Sequence, residues 1–408
     1  MDLAISGGTP VKTAPFGTGK RFGGEELQQL KEALDQNTLF YAFGNKVKDF
    51  NKKFAAMYGS PHCVAVSSGT ASLHVALGAI GIKPGDEVIT APFADMGNVI
   101  GILYQNAIPV FADIDPYSFN IDPDSLEKYI TPKTRAIIVV HLMGNPADMD
   151  PIMAIAKKHN IYVIEDCAQS YLCTYKGRLA GTIGHIGCFS LNDFKHISVG
   201  DGGMLITADD DIYKKATMFA DKNYDRTNTR RRLIDSLAPN YRMTELQGAV
   251  AIAQLDRLGW ICERRNAIGD GITEGIKNIP GITPPKVLPD CKCTYWFYMF
   301  RIDPEIINPV KFAEALSAEG IPCDSGYIMT GMYEYGLFKN QTVRPGTKCP
   351  FSCPYYDGGV SYDAGLFPQT EVVVRASARI NINEFYTDRD VEEIITAINK
   401  VAAGLAKK

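Results

Sequence analysis

One lysine in this sequence lies where its amine could lose its proton and become a nucleophile. Lys195 follows the predicted strand Phe189-Ser-Leu191 and precedes the Gly-rich turn Gly200-Asp-Gly-Gly203. A lysine held between a strand and a tight turn can lose contact with water, which lowers the pKa of its amine and allows it to form an imine with a carbonyl compound. The competing interpretation is a solvated surface charge, which is the commoner role of a lysine.

A carboxylate ends one of the predicted strands. Asp166 is the last residue of the largely apolar run that begins at Tyr162, and open α/β sheets bind ligands at the carboxyl ends of their strands. A metal ion, a nucleotide ribose or a ring nitrogen could each be the partner of a carboxylate in this position. The alternative is a cap for the turn that follows.

The segment Ser67-Ser-Gly-Thr-Ala-Ser72 has the composition of an anion-binding turn. It lies between a predicted strand and a predicted helix, where free backbone N–H groups and the helix dipole favour a phosphate. An ordinary helix cap accounts for the same residues, so the segment gains weight only in combination with Lys195 and Asp166.

The elements that must position these residues are predicted by hydrophobic patterning. From about residue 60 to 208, apolar or β-branched runs alternate with helical patterns, which is typical of an α/β domain with a largely parallel sheet. From Leu73 onward apolar residues recur at i, i+3, i+4 and i+7, one face of a helix, and Asp150-Pro151 predicts a helix start. The predicted strands span residues 62–66, 87–92, 108–114, 135–142 and 162–166.

The second part of the chain has a different pattern. A long helix is predicted over residues 243–276, followed by a strand (295–301), a helix (309–319), an irregular stretch rich in Gly, Pro and Tyr (326–367), a strand (372–382) and a terminal helix from Thr387. We therefore predict two domains, a large α/β domain at 1–275 with an N-terminal arm at 1–20, and a smaller α+β domain at 276–408.

The composition excludes several classes of protein. The 408 residues include 42 Lys and Arg against 46 Asp and Glu, for a net charge of −4, which argues against a nucleic acid or an anionic membrane as partner. We see no signal-peptide pattern and no apolar run approaching about 18 residues, and we expect a cytoplasmic protein. Neither Cys291/Cys293 nor Cys349/Cys353 has the spacing of a zinc knuckle, so we expect ten reduced cysteines and no metal.

Taken in order, these segments resemble a known family. The phosphate-type turn, the Glu165-Asp-Cys-Ala-Gln169 context, Phe189-Ser to Lys195-His196 and Gly200-Asp-Gly-Gly203 are similar to motifs of the sugar aminotransferases of the DegT/StrS type. Further matching segments cover nearly the whole chain, among them Asn240-Tyr-Arg-Met-Thr-Glu245. The resemblance implies the fold type I architecture of pyridoxal-phosphate enzymes, with a mostly parallel seven-stranded sheet in the large domain, and a homodimer with shared active sites.

The resemblance also implies roles for individual residues. Lys195 would bond to the aldehyde of pyridoxal 5'-phosphate and later move a proton during formation of pyridoxamine 5'-phosphate, while Asp166 would pair with the pyridine nitrogen. Gln169 would lie against the ring or its hydroxyl, and Asn240 would reach the phosphate bound by the neighbouring subunit. The residues expected to hold the phosphate, or to stand in the phosphate turn, are Ser68, Gly69, Thr70 and Ser190.

The sequence departs from the family pattern at one position of consequence. Where an aromatic residue usually stacks on the cofactor ring, our register places Asp95, and Phe93 or another aromatic residue would have to take that role. Three further residues are candidates for substrate contact. They are His196, Arg232 in the arginine-rich run 225–232, and Tyr327.

The function implied is a transaminase that moves an amino group from glutamate or glutamine to a ketone on a sugar or cyclitol. One alternative is a pyridoxamine-phosphate-dependent deoxysugar dehydratase, whose family members replace the lysine with histidine; Lys195 argues against it. Another is a non-catalytic regulatory homologue, which Asp95 keeps open and the set Lys195, Asp166 and Ser190 opposes.

Overall fold

A seven-stranded sheet forms the centre of the molecule. The computed structural model describes residues 2–226, 234 and 236–406. The sheet has the order β1-β9-β8-β5-β4-β2-β3, in which β9 runs antiparallel to both its neighbours and the other pairings are parallel. Its strands are β1 (His62–Val66), β2 (Glu87–Thr90), β3 (Ile108–Phe111), β4 (Thr134–Val140), β5 (Tyr162–Asp166), β8 (Ile186–Ser190) and β9 (Gly203–Thr207). A mostly parallel seven-stranded sheet, as the sequence and the resemblance predicted, is thereby confirmed.

Helices cover this sheet, which is why its strands are buried along nearly their whole length. The helices of this part are α1 (Gly24–Asp35), α2 (Lys46–Tyr58), α3 (Gly69–Ala79), α4 (Gly97–Tyr104), α5 (Pro123–Lys128), α6 (Met149–His159) and α7 (Asp210–Ala220). A short hairpin, β6 (Thr174–Tyr175) with β7 (Arg178–Leu179), lies between β5 and β8. The apolar face predicted from Leu73 is buried in α3, whereas α6 begins at Met149 rather than at the predicted Asp150-Pro151.

A second, four-stranded antiparallel sheet has the order β10-β11-β13-β12. Its strands are β10 (Ile282–Thr283), β11 (Phe297–Ile302), β12 (Cys323–Asp324) and β13 (Ser377–Asn381), and the helices around it and in the intervening stretch are α9 (Pro309–Ala318), α10 (Gly336–Lys339), α11 (Pro368–Arg375) and α12 (Asp388–Leu405). The strand predicted at 372–382 is wrong in its first half. Pro368 sits at the first turn of α11, and Thr370 and Val373 are the buried residues of its face, so the β-branched run is helical.

Helix α8 (Glu245–Ile276) connects the two sheets. It starts with a capping box in which the Thr244 hydroxyl accepts the Gln247 N–H and the Gln247 side chain accepts the Thr244 N–H. Ala251, Leu255 and Leu258 belong to an apolar cluster under β1 and β9, and Ile268, Ile272 and Ile276 belong to the core of the second sheet. One continuous helix therefore contributes buried side chains to both hydrophobic cores.

The first part of the N-terminal arm packs against the core of the second sheet. Leu3 is buried in that core, and the Lys12 ammonium lies 2.5 Å from Asp390 and 2.7 Å from Glu393, both on α12. The predicted division into 1–275 and 276–408 thus has a segment of the first part anchored on the second. In the described part of the chain no helix is long and apolar enough to cross a membrane.

Candidate active site

A cavity of about 790 Å³ opens at the carboxyl ends of β5 and β8, next to the N-terminus of α3. Residues from the first sheet, from the N-terminal segment and from the second sheet all line it. The sequence-predicted residues that the structure brings together here are Ser68, Gly69, Thr70, Asp166, Gln169, Ser190 and Lys195.

Lys195 lies on the turn after β8, half-buried, with its ammonium nitrogen 3.6 Å from the centroid of the Trp296 ring. Its backbone N–H donates to Asn192 O, 2.9 Å away, and its carbonyl accepts a hydrogen bond from the Arg21 guanidinium at 2.7 Å. Burial lowers the pKa of the lysine to about 8, while the carboxylates of Asp166 and Asp95 oppose that shift. The side chain therefore becomes a free amine as the pH rises through about 8, well below the range of an ordinary lysine.

Asp166 ends β5 and points its carboxylate into the cavity. One oxygen accepts the Ala168 N–H at 2.9 Å. Burial raises the pKa of this carboxyl, whereas the Ala168 N–H and Lys195 act in the opposite direction. A buried carboxylate of this kind is stabilised by a cationic partner such as a protonated ring nitrogen.

Behind Asp166, a buried pair fixes the end of β5. Glu165 accepts the backbone N–H groups of Gly181, Ile183 and Gly184 at 2.6 to 2.8 Å, and its other contact is His141 Nε2 at 2.9 Å. His141 Nδ1 accepts the Ala147 N–H at 3.0 Å. His141, Glu165 and Cys167 lie close enough to hold a metal ion, but the protein's own donors already occupy the histidine and the glutamate. His141 is thus a satisfied core histidine.

The turn before α3 has the geometry expected of a phosphate site. Ser68 caps the helix by accepting the Ala71 N–H at 3.0 Å. A Cβ on Gly69 would lie 2.6 Å from Ser190 Cβ and 3.0 Å from its hydroxyl oxygen, so only glycine leaves room beside that hydroxyl. The free N–H groups of the first turn of α3 and the Ser190 hydroxyl converge on one place, a suitable donor set for an anion.

Gln169 joins the two parts of the cavity wall. Its carbonyl oxygen accepts the Met143 N–H at 2.7 Å, and its amide nitrogen donates to the Tyr327 hydroxyl at 3.1 Å. The Tyr327 ring stacks on Phe297, with 4.9 Å between ring centroids. Tyr327 does not itself line the cavity, but it contacts two residues that do.

Two further predicted residues, His196 and Asn240, do not line the cavity. His196 is buried behind it, with Nε2 3.0 Å from Thr294 O, and burial holds the pKa of its imidazole well below the usual value. Asn240 is exposed and pairs with Asp221 in an isolated β-bridge. Arg232 lies outside the described residues.

The structure places Asp95 at the cavity wall, in the β2–α4 turn, with its carboxylate accepting the Gly97 N–H at 2.8 Å. Phe93, the first alternative for a stacking residue, is buried away from the cavity with its ring edge-on to Tyr327. Aromatic residues that do line the cavity are Phe194, Trp296 and Phe297.

Sequence reasoning missed several residues of the lining. Arg21, Asn98, Arg265, Trp296 and Arg379 come from five separate segments, and only Trp296 had a local signal, the aromatic strand predicted at 295–301. Arg265 is paired with Glu384 at 2.7 Å and donates to Trp296 O at 3.0 Å, so it braces the wall against which Lys195 rests.

The donor set suits pyridoxal 5'-phosphate. It has an amine of lowered pKa for the aldehyde, a buried carboxylate for the ring nitrogen, and a glycine-lined helix N-terminus with a serine hydroxyl for the phosphate. These features lie in one cavity and on the elements that the sequence predicted for them.

Comparison with known proteins agrees with this geometry. A family model described as the DegT/DnrJ/EryC1/StrS aminotransferase family matches residues 20–373. A protein of Streptoalloteichus tenebrarius named as an L-glutamine:3-amino-2,3-dideoxy-scyllo-inosose aminotransferase is 37% identical over 352 residues, which cover 83% of each chain. The GDP-perosamine synthase of Caulobacter vibrioides is 35% identical over 307 residues, covering 74% of this chain and 82% of its own.

Solved structures agree as well. The aminotransferase from Psychrobacter cryohalolentis superimposes with a TM-score of 0.84 at 29% identity, over 96% of this chain and 100% of the other.

Proposed function

The chain belongs to the DegT/DnrJ/EryC1/StrS aminotransferase family, whose members depend on pyridoxal phosphate, and from this premise we propose that it transfers an amino group from glutamate or glutamine to the ketone of a sugar or cyclitol. The observation that carries the proposal is the position of Lys195, whose pKa is lowered to about 8, in the same cavity as Asp166 and the turn before α3. The names of the relatives, which include both a keto-inosose and a GDP-sugar enzyme, support the acceptor class.

In this proposal pyridoxal phosphate supplies a carbonyl for the amino group and an electron sink for the carbanion at the donor α-carbon. Gly69, Thr70 and Ser190 bind the phosphate. Asp166 keeps a proton on the ring nitrogen, and Gln169, fixed by Met143 N–H and Tyr327, positions the ring from the side.

Lys195 has the second task of moving a proton. Its amine, half of which is unprotonated at a pH equal to its lowered pKa, would take the proton from the donor α-carbon and pass it to the former aldehyde carbon of the cofactor. The Trp296 ring, 3.6 Å from the lysine nitrogen, covers one side of the amine and keeps water away from it. In the second half-reaction the same amine acts in reverse on the acceptor carbon.

A homodimer with shared active sites is also part of this proposal. Asn240 is exposed and lies outside the cavity of its own chain, which fits its expected place at the phosphate bound by the neighbouring subunit. The division into a large domain at 1–275 and a small domain at 276–408 is proposed on the same footing.

A half-reaction tests the function without knowledge of the acceptor. Protein loaded with pyridoxal phosphate is mixed with glutamate or glutamine alone, and we expect the visible absorbance of the cofactor to disappear with formation of one equivalent of 2-oxo acid per site. Lys195→Ala should abolish the change, and Lys176→Ala, at an exposed ion pair with Asp150, is the control. A non-catalytic homologue would leave the absorbance unchanged with both donors. A deoxysugar dehydratase would be recognised by its products, ammonia and a deoxy-ketone in place of an amine, when a keto-deoxysugar is added.

A further inference from the structure

We propose that Asp95 and Asn98 select an acceptor that already carries a protonated amino group. The inference rests on the proposed function and narrows it, from any keto-sugar or keto-cyclitol to one that bears an ammonium group near its ketone. The two residues stand on the β2–α4 turn and the first turn of α4, and both line the cavity that contains Lys195.

The negative charge of Asp95 lies at the cavity wall without a basic side chain among the described residues to pair with it. The side chain of Asp95 is exposed, and its carboxylate accepts a hydrogen bond from the Gly97 N–H, two residues along the chain. Within residues 2–226, 234 and 236–406, no salt bridge to Asp95 is found. Its charge nevertheless acts on the cavity, because it raises the pKa of Lys195 and of Asp166.

The arginines that line the cavity are already engaged. Arg265 lies 2.7 Å from Glu384, Arg379 lies 2.8 Å from Asp324, and Arg21 donates to the carbonyls of Asp193 and Lys195. In the proposed enzyme the ring nitrogen is the partner of Asp166, and Lys195 works as a neutral amine. Asp95 is then a cavity carboxylate for which the described residues offer no counter-charge, and we expect an ammonium group on the substrate to supply it.

Asn98 supplies the second, independent observation. Its side chain is only 2% exposed, and neither its amide nitrogen nor its carbonyl oxygen finds a hydrogen-bond partner in the part of the chain that the structure describes. Buried amides are ordinarily paired. A hydroxyl of a cyclitol or sugar both donates and accepts, so it can satisfy either atom of the Asn98 amide.

The same charge discriminates between the acceptor classes. A carboxylate at the wall repels the diphosphate of a nucleotide-linked sugar and attracts an ammonium group, whereas a neutral ketone gains nothing from it. Asp95 therefore favours an amino-bearing ketone over both of the other classes.

A matched pair of acceptors tests this inference. They are 3-amino-2,3-dideoxy-scyllo-inosose and 2-deoxy-scyllo-inosose, which differ in one amino group against one hydroxyl. The enzyme is first converted to its pyridoxamine-phosphate form. We then expect kcat/KM for the amino-bearing acceptor to exceed that for the neutral acceptor about tenfold or more. Asp95→Asn should bring this ratio close to one, mainly through a higher KM for the amino-bearing acceptor.

The readout is the ratio and not the absolute rate, because Asp95→Asn also removes a charge that acts on Lys195. Asp201→Asn is the matched control, since Asp201 also lines the cavity and the substitution changes the net charge equally; we expect it to preserve the ratio. Asn98→Ala should raise KM for both acceptors, since both carry the hydroxyls that the amide is proposed to bind.

The outcomes separate the inference from the function on which it rests. If the donor half-reaction proceeds but the wild-type ratio is near one, or the ratio survives Asp95→Asn, or neither acceptor reacts, the inference is overturned and the transaminase remains. If the donor half-reaction itself fails, the proposed function is wrong and the inference falls with it.

Discussion

The Lys195 ammonium nitrogen rests 3.6 Å from the centroid of the Trp296 ring. Lys195 follows β8 of the first sheet and Trp296 directly precedes β11 of the second, and Arg265 holds the tryptophan backbone in place through the hydrogen bond to its carbonyl. A ring face stabilises the charged form of a lysine, but burial outweighs this and brings the pKa to about 8. The contact therefore shields the amine without keeping it protonated at a moderately alkaline pH.

Titration of Lys195 gives the first prediction. In the cofactor-free protein, labelling by an amine-reactive reagent should increase as the pH rises through about 8, since only the unprotonated amine reacts. Asp95→Asn should move the midpoint to lower pH, because the Asp95 carboxylate raises the lysine pKa. Quantitative mass spectrometry of the labelled peptides measures both. Lys176, whose pKa its bonds to Asp150 and Tyr175 raise, serves as the internal control, and a midpoint near 10 for Lys195 would contradict the prediction.

The second prediction concerns loss of the Asp166 charge. Asp166→Asn should keep the fold but reduce the donor half-reaction by about 10²-fold or more, since the ring nitrogen loses the preorganised carboxylate that keeps it protonated. Single-turnover absorbance changes with glutamate or glutamine measure the rate. Asp193→Asn changes a more exposed cavity carboxylate, which accepts the Ser198 hydroxyl at 3.1 Å, and we expect a far smaller loss. Equal losses in both variants would show that net charge, rather than the position of Asp166, matters.

The third prediction concerns the turn before α3, where the phosphate is proposed to bind. Gly69→Ala should weaken retention of pyridoxal phosphate about tenfold or more, because a Cβ at this position lies 2.6 Å from Ser190 Cβ and pushes the Ser190 hydroxyl away. Equilibrium dialysis measures the affinity. Gly259→Ala is the matched control: no atom lies within 4 Å of its Cβ, so it should leave cofactor affinity unchanged. It should also stabilise α8 by about 0.5–1 kcal/mol. Retention of wild-type affinity by Gly69→Ala would refute the assignment of the turn.

The fourth prediction concerns Glu165, the buried glutamate behind the site. Glu165→Gln should lower the free energy of unfolding by about 3 kcal/mol, because the amide cannot accept from all three backbone N–H groups and His141 as the carboxylate does. Urea denaturation of the loaded protein measures this. Asp150→Asn, which removes an exposed ion pair with Lys176, should cost less than about 1 kcal/mol. Similar losses in both would mean that the Glu165 contacts contribute little.

The sequence predicted the first sheet well because its signals are local. The strand 162–166 is observed with those bounds, and the predicted turn at Ser68 does cap α3. Each depends on residues that are neighbours in the chain, namely an apolar run for the strand and a side-chain oxygen close to the first free N–H groups for the cap.

What could not be predicted depends on distant contacts. Arg21 reaches the carbonyl of Lys195 across 174 residues, and no local pattern marks either partner of this bond. The run at Val372 has the composition of a strand, yet the start at Pro368 and the burial of Val373 make it helical. Asn98 gave no signal in the sequence, since an unpaired buried amide is recognised only when its surroundings are known.

Helix α8 also bears on how this enzyme could be recombined with its relatives. The predicted boundary at 275/276 falls in the last turn of a helix that ends at Ile276, and the residues that pack against the second sheet begin at Ile268. A chimaera joined at 275/276 would place a foreign second sheet on two native isoleucine side chains, Ile268 and Ile272, and on Arg265, whose partner Glu384 would then come from the other parent. Exchange of acceptor specificity between relatives therefore calls for a crossover before Arg265, so that the helix end, its ion pair and the Trp296 wall are inherited together.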